Sequence, residues 1–268
     1  MPINLLSRLA MLMAVWLPLP AVAQSAETDI VGPGDDRTAG ETVAAAEAGE
    51  VRGVNPADIL SRADLIVRVV NLPQGETVTA VTKYDQKLGN SIAFNAELPV
   101  ASYVNAGPIA AFGIGDLFLR VRYVAPLSRT VMALASVELV APIATDDLLG
   151  AGKWQLNPVG GAVKIWSPRL FSAVVYKHSF SIGGDDVRAD IDANSIRLIQ
   201  SFILDKGYYI SLDGRHEWQD STNEGWSTAE FELGRQFSAR FAASLRIGKA
   251  FGDRRNDGAI DINVRTFF

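Results

Sequence analysis

From about residue 62 onward the chain is cut by turn residues into alternating runs of about ten residues or longer. Run length is the feature that most constrains the fold. Strands of soluble proteins average about five or six residues, whereas a tilted strand needs about nine to eleven to cross a bilayer. Twelve runs can be read: 63–72, 76–85, 91–104, 115–125, 129–142, 153–166, 169–182, 192–205, 207–219, 225–237, 238–250 and 258–268. In the last, Ile260, Ile262, Val264, Thr266 and Phe268 share one face, opposite Asp261, Asn263, Arg265 and Phe267. Similarly, Tyr208, Ile210 and Leu212 oppose Tyr209, Ser211, Asp213, Arg215 and Glu217. A soluble sheet with its apolar face inward gives the same pattern, so alternation alone leaves open which face meets lipid.

Three features favour lipid outside. The connections at Leu127-Ser128, Ser167-Pro168, Asp205-Lys206 and Phe237-Ser238 are tight, and those at Asn105–Ile114, Ile143–Gly152 and Gly183–Asp190 are longer. Short turns on one rim and long loops on the other belong to outer-membrane barrels. Tyr123, Trp154, Trp166, Tyr208, Trp218, Trp226 and Phe237 stand near strand ends, where aromatic side chains suit the membrane–water interface. The last strand stops on Phe268, which resembles the terminal signal read by the barrel-assembly machinery.

The start of the chain reads as a secretory signal, residues 1–23: Arg8, the apolar run Leu9 to Leu19, then Ala21-Val22-Ala23. That run is short for a membrane anchor, and no later segment offers the roughly 18 to 20 apolar residues of a transmembrane helix. Residues 24–60 read as a flexible acidic periplasmic leader, since Thr28 to Val54 is rich in Gly, Ala, Glu and Asp and lacks aromatics. Residues 61–268 are then the barrel. The chain has no cysteine, which excludes disulfides, thiol chemistry and Cys-zinc sites. Its net charge of −5 becomes −6 without the single Arg8 of the signal, and basic residues are scattered, so no nucleic-acid footprint is present.

Several stretches are similar to one family. GIGDLFLRVRYVAP at 113–126 resembles the Gly-x-Gly-Asp-Leu strand of the phenol-degradation meta-pathway outer-membrane barrels. IRLIQSFILDKGYYISLDGRHEWQD at 196–220 resembles a later hairpin of that family, and FELGRQFSARFAASLRIGKAF at 231–251 its penultimate one. At Ala141 to Asp146 the chain keeps the proline of a family Pro-Thr-Gly motif without the Thr-Gly pair. The resemblance covers about 110–268 and implies uptake of small aromatic or hydrophobic compounds.

The fold expected is all-β: a transmembrane antiparallel up-and-down barrel of about twelve strands in the outer membrane of a Gram-negative bacterium, both termini periplasmic. Its leader would lie on the periplasmic side or partly plug the lumen. Lipid and lipopolysaccharide would surround it. Inward polar side chains then line the lumen. The candidates are Arg120, Arg122, Glu138, Arg197, Asp213, Arg215, Glu217, Glu230, Glu232, Arg246, Asp261 and Arg265. Such mixed charge can select solutes in a narrow pore, or pair off and fill the interior. Twelve strands lie between packed barrels of about eight and open porins of roughly sixteen. A passive channel for small solutes is therefore expected, with a structural barrel of filled lumen as the alternative and a secreted soluble β-protein as a third reading.

No enzyme is expected. His178 and its neighbour Ser179 point to opposite faces of one strand, and His216 shares parity with Ile210 and Leu212 near Trp218. The acidic loops around Asp185, Asp186, Asp190 and Asp192, and around Asp253, Asn256, Asp257 and Asp261, lack calcium-loop spacing. No cofactor and no dedicated metal are expected. Gly160-Gly161 beside Pro158 predicts a β-bulge.

Overall fold

The computed structural model describes residues 51–106 and 108–268. The expected signal, residues 1–23, and most of the expected leader lie outside the described residues. The strands are β1 (Arg62–Leu72), β2 (Gly75–Lys87), β3 (Ile92–Ala106), β4 (Ile109–Gly113), β5 (Leu117–Ser128), β6 (Val131–Ala141) and β7 (Lys153–Ser167). They continue as β8 (Leu170–Gly184), β9 (Asp192–Ile203), β10 (Tyr208–Gln219), β11 (Glu224–Ser238), β12 (Phe241–Gly252) and β13 (Gly258–Phe267). Every neighbouring pair is antiparallel, and β13 pairs with β1, Arg62 opposite Phe267 through Asn71 opposite Gly258. The sheet is thus a closed barrel. Closure pairs every strand except the short β4, whose one ladder is with β3, on both sides, as a hydrocarbon environment favours because unsatisfied backbone groups are costly there.

Thirteen strands make a twelve-stranded wall because β4 and β5 share one place. The first half of β3 pairs with β5, Ile92 opposite Tyr123 to Glu97 opposite Phe118. Its second half pairs with β4, Ser102 opposite Gly113 to Ala106 opposite Ile109. Here the sequence expectation is corrected: Asn105–Ile114 is not a long loop. The apolar run Ile109 to Phe112 extends the wall to the far rim, and the glycines at 113 and 115 mark a break within the strand.

The rim bearing Phe268 has the short connections 88–91, 129–130, 168–169, 204–207 and 239–240. In one of these turns Gly207 has φ +76, and a Cβ there would stand 2.5 Å from the Gln236 carbonyl oxygen, so only glycine fits. The opposite rim carries the longer 142–152, 185–191, 220–223 and 253–257, besides a two-residue connection at 73–74. The bulge expected at Gly160-Gly161 is absent: register there runs evenly from Leu156 opposite Phe180 to Ile165 opposite Phe171. Register shifts fall instead at Trp154/Gln155 and Ile165/Ser167. Gly161 serves close approach, since a Cβ would meet the Val174 carbonyl oxygen at 2.5 Å.

Alternation resolves as apolar outward. Val121, Val137, Val174, Leu198, Leu212, Leu233, Leu245, Ile247, Ile260 and Ile262 are exposed on successive strands. Their inward neighbours Ser201, Ser211, Asp213, Glu232 and Asp261 are buried. An exposed apolar surface of this extent is unusual for a protein in water and is what a lipid-facing wall looks like. Aromatics mark both rims: Tyr84, Trp166, Tyr208, Phe237 and Phe241 near the termini, Phe112, Trp154 and Phe251 at the other end. Trp226 corrects the expected girdle. Its indole N–H donates to Glu217, with which it pairs across β10 and β11, and it shares the inner face. Arg254 lies over its ring at 4.2 Å, so the indole serves the loops of that rim rather than the lipid interface.

Candidate functional site

The inner face carries a belt of ion pairs, nearly all between neighbouring strands. Arg68 of β1 engages Asp261 of β13 through two hydrogen bonds, Nε–Oδ1 2.8 Å and Nη2–Oδ2 2.6 Å. Arg246 of β12 engages Glu230 at 2.9 Å and Glu232 at 2.5 Å on β11. Arg197 of β9 pairs with Asp213 of β10, and Arg120 of β5 with Glu138 of β6. Glu138 also accepts from Asn157 of β7 at 2.8 Å and faces Lys177 of β8 at 3.9 Å. Arg62 meets Asp85 at 2.7 Å, Arg265 meets Asp64 at 3.4 Å, and Lys83 meets Glu97 at 3.9 Å. Fork-shaped guanidinium pairing of this kind is strong and directional. The belt follows the wall around the circumference.

Inside the belt lies a cavity of about 460 Å³. One side is charged, bordered by Arg68, Glu230, Arg246 and Asp261. The other side, from β6 to β9, is mainly apolar, with Leu134, Val159, Val175 and Ile199 beside Ser136 and Arg197. Tyr209 reaches across Gly234, where a Cβ would meet its ring at 2.2 Å, and its hydroxyl donates to Glu232 at 2.8 Å.

The segment 51–60, which the sequence assigns to the leader, packs into the terminal end of the lumen. Val54 and Ala57 contact an inner apolar cluster of Val163, Phe171 and Ala173. Arg122 donates to the carbonyls of Pro56 at 3.0 Å and Asp58 at 2.8 Å. Arg62 and Arg265 donate to the Gly53 carbonyl at 3.0 and 3.3 Å. The segment is therefore anchored by apolar contact on one side and by three arginines on the other.

At the opposite rim the connection 142–152 is tied to the inner face at the break between β4 and β5. Asp116, buried, accepts from the Ala144 amide at 3.2 Å and the Ala151 amide at 2.8 Å. Thr145 Oγ1 accepts from the Ile114 amide at 3.1 Å, and the Thr145 amide donates to the Ile114 carbonyl at 3.1 Å. Gly150 permits this: a Cβ would stand 2.4 Å from Asp116 Oδ1. The Gly-x-Gly-Asp stretch at 113–116 is thus a clamp for the longest loop.

Ten of the twelve lumen candidates border the cavity: Arg120, Arg122, Arg197, Asp213, Arg215, Glu230, Glu232, Arg246, Asp261 and Arg265. Glu138 lies behind Arg120, and Glu217 sits above Arg215 at 3.2 Å, bound to Trp226. Phe268 is exposed at the rim, stacked on Tyr84 with ring centroids 5.9 Å apart. His216 stacks on Trp218 at 5.7 Å, and His178 and Ser179 lie on opposite faces of β8. Asp185, Asp253 and Asn256 of the acidic loops accept backbone amides of Val187, Gly225 and Ala250.

Sequence reading missed Arg62, Asp64, Arg68, Lys83, Asp85, Glu97 and Lys177. The signal was present in β1, where Arg62, Asp64, Ile66 and Arg68 alternate with Ala63, Leu65, Val67 and Val69. It also missed Asp116, whose role depends on a loop some thirty residues away in sequence.

Solved structures similar to this barrel include two porins and a hydrocarbon channel. The KdgM porin is 11% identical over 77% of this chain and 99% of its own, with a TM-score of 0.56. The NanC porin is 9% identical over 77% of this chain and 98% of its own, at 0.57. The CymD monoaromatic hydrocarbon channel is 9% identical over 83% of this chain and 93% of its own, at 0.50. No family model and no curated protein matches the sequence. At these identities the likeness establishes the fold alone: a closed, twelve-stranded antiparallel barrel.

Proposed function

We propose that the protein is a passive outer-membrane channel for small solutes, with aromatic or hydrophobic compounds as the favoured class. The observation that carries this reading is the course of the ion pairs. They run along the wall and leave a cavity of about 460 Å³ between a charged and an apolar side. A volume of this size lies within the roughly 300–1,000 Å³ of small-molecule sites. The apolar side, Leu134, Val159, Val175 and Ile199, suits the solute class implied by the resemblance to phenol-degradation barrels. CymD, which shares the barrel, is a monoaromatic hydrocarbon channel.

The test is planar-bilayer recording of the refolded protein, together with uptake of a small phenol into loaded vesicles. Discrete conductance and phenol entry are expected. Absence of both overturns the reading.

A second reading is favoured by one observation, the segment 51–60 seated in the terminal end of the lumen. On that reading the barrel is structural and closed. Excision of residues 51–60 separates the two. A channel conducts more after excision and already conducts before it, whereas a structural barrel is silent with the segment in place.

A further inference from the structure

We propose that the lumen holds a binding site for small amphipathic monocarboxylates, Arg197 and Arg215 taking the carboxylate and Val175 and Ile199 the apolar part. It rests on the channel reading only for the ligand's route of entry.

Three strands bring the site together. Val175 of β8 stands opposite Arg197 of β9, and Arg197 stands opposite Arg215 of β10. The three form one row across the inner wall, about 4.8 Å per strand. Ile199 follows two residues along β9, on the same face, and all four border the cavity. Like charges directly opposite in an antiparallel pair are destabilising. This barrel places two arginines in that relation and offsets each with a carboxylate of β10, Asp213 for Arg197 and Glu217 for Arg215.

The pairs are not symmetric toward the lumen. The side chains of Arg197 and Arg215 are each 38% exposed, while those of Asp213 and Glu217 are 8% and 20% exposed. The acid ends are set back into the wall, and a solute meets the cationic ends. The cavity border as a whole has nine Arg or Lys against six Asp or Glu. Arg197 holds Asp213 through Nε and Nη2, which leaves Nη1 for a further acceptor. An inorganic anion would use the arginines alone, and a neutral aromatic the apolar side alone. A small carboxylate with an apolar body uses both.

The test is calorimetric titration of the refolded full chain with benzoate and, separately, with benzyl alcohol. Benzoate is expected to bind at least about ten-fold tighter, the value of one charge-assisted hydrogen bond. Replacing both arginines (Arg197→Gln with Arg215→Gln) should weaken benzoate by about ten-fold or more, and Arg240→Gln in the exposed 239–240 turn should leave it unchanged. Heat-modifiable mobility on a gel reports folding of each variant. Should the double variant not refold, Arg215→Gln alone carries the test. Equal binding of benzoate and benzyl alcohol, or benzoate binding that survives the arginine replacements, overturns the proposal. A barrel that binds benzoate but conducts nothing upholds the site and ends the channel reading. A conducting barrel indifferent to the carboxylate does the reverse.

Discussion

Arg68 and Asp261 join the first and last strands of the barrel through a two-point ion pair, Nε–Oδ1 2.8 Å and Nη2–Oδ2 2.6 Å. They are 193 residues apart in sequence and directly opposite in register. The contact therefore exists only when the barrel is shut, and it lies beside Arg246 and Glu230, whose own pairing continues the belt into β12 and β11.

Removing one partner at this seam should cost more than removing both. Asp261→Ala leaves the Arg68 guanidinium without its main acceptor, and a loss of about 1–3 kcal/mol is expected. Asp261→Ala with Arg68→Ala should recover part of it. Urea unfolding in detergent or lipid vesicles measures both. Additive losses would mean the pair contributes nothing to closure.

Arg122 ties the segment 51–60 at two points, through the Pro56 and Asp58 carbonyls. Arg122→Gln should loosen the segment, raising amide exchange at residues 53–58 and raising conductance, with heat-modifiability retained. Unchanged exchange would show that the Val54 and Ala57 contacts and the arginine ties to Gly53 hold it without Arg122.

Asp116 holds the loop 142–152 by accepting the Ala144 and Ala151 amides. Asp116→Ala orphans both donors, at a local cost of about 1–3 kcal/mol each if they stay buried, so the loop should open instead. Hydrogen exchange at those two amides should accelerate strongly. Gly150→Ala should do the same, because its Cβ would fall 2.4 Å from both Asp116 Oδ1 and the Ala144 Cβ.

The loop 185–191 has a pH response. The Lys153 ammonium donates to Asp190 at 2.9 Å, and that hydrogen bond and charge hold the Asp190 carboxyl below the usual range. A lowered folded pKa means the tie is fully present above the ordinary value of about 3.9 and is lost as pH falls through the lower folded value. A spin label at Val187→Cys, in a chain with no other cysteine, should gain mobility across that window. Asp190→Asn should remove the transition. Because Asp190 is exposed, the change should stay within the loop.

The barrel itself was legible in the sequence because strand length and period are local quantities. Runs such as 207–219 and 258–268 match β10 and β13 to within a residue, and parity alone placed Asp213, Arg215, Asp261 and Arg265 on one side of the wall. Apolar residues on the other parity then decided which solvent the outer face suits. Where position at a strand end was read ahead of parity, the reading failed: Trp226 sits at a strand end like any interface aromatic, yet it shares parity with the inward Glu230 and Glu232 and pairs opposite Glu217. Gly-Pro at 107–108 looked like a loop until β3 required a neighbour for its second half, which Ile109 to Gly113 supplies.

What only the tertiary structure decided are the relationships between strands distant in the chain. Period two fixes the face a side chain takes, but register fixes what it meets there. That Arg197 stands between Val175 and Arg215 and that Asp116 reaches the loop after β6 depend on register between strands, and that Gly53 to Asp58 lie under Arg62, Arg122 and Arg265 depends on closure as well. The sequence determined a membrane-length barrel with charge inside. The closed register decided that these charges pair along the wall, and so left a cavity at the centre.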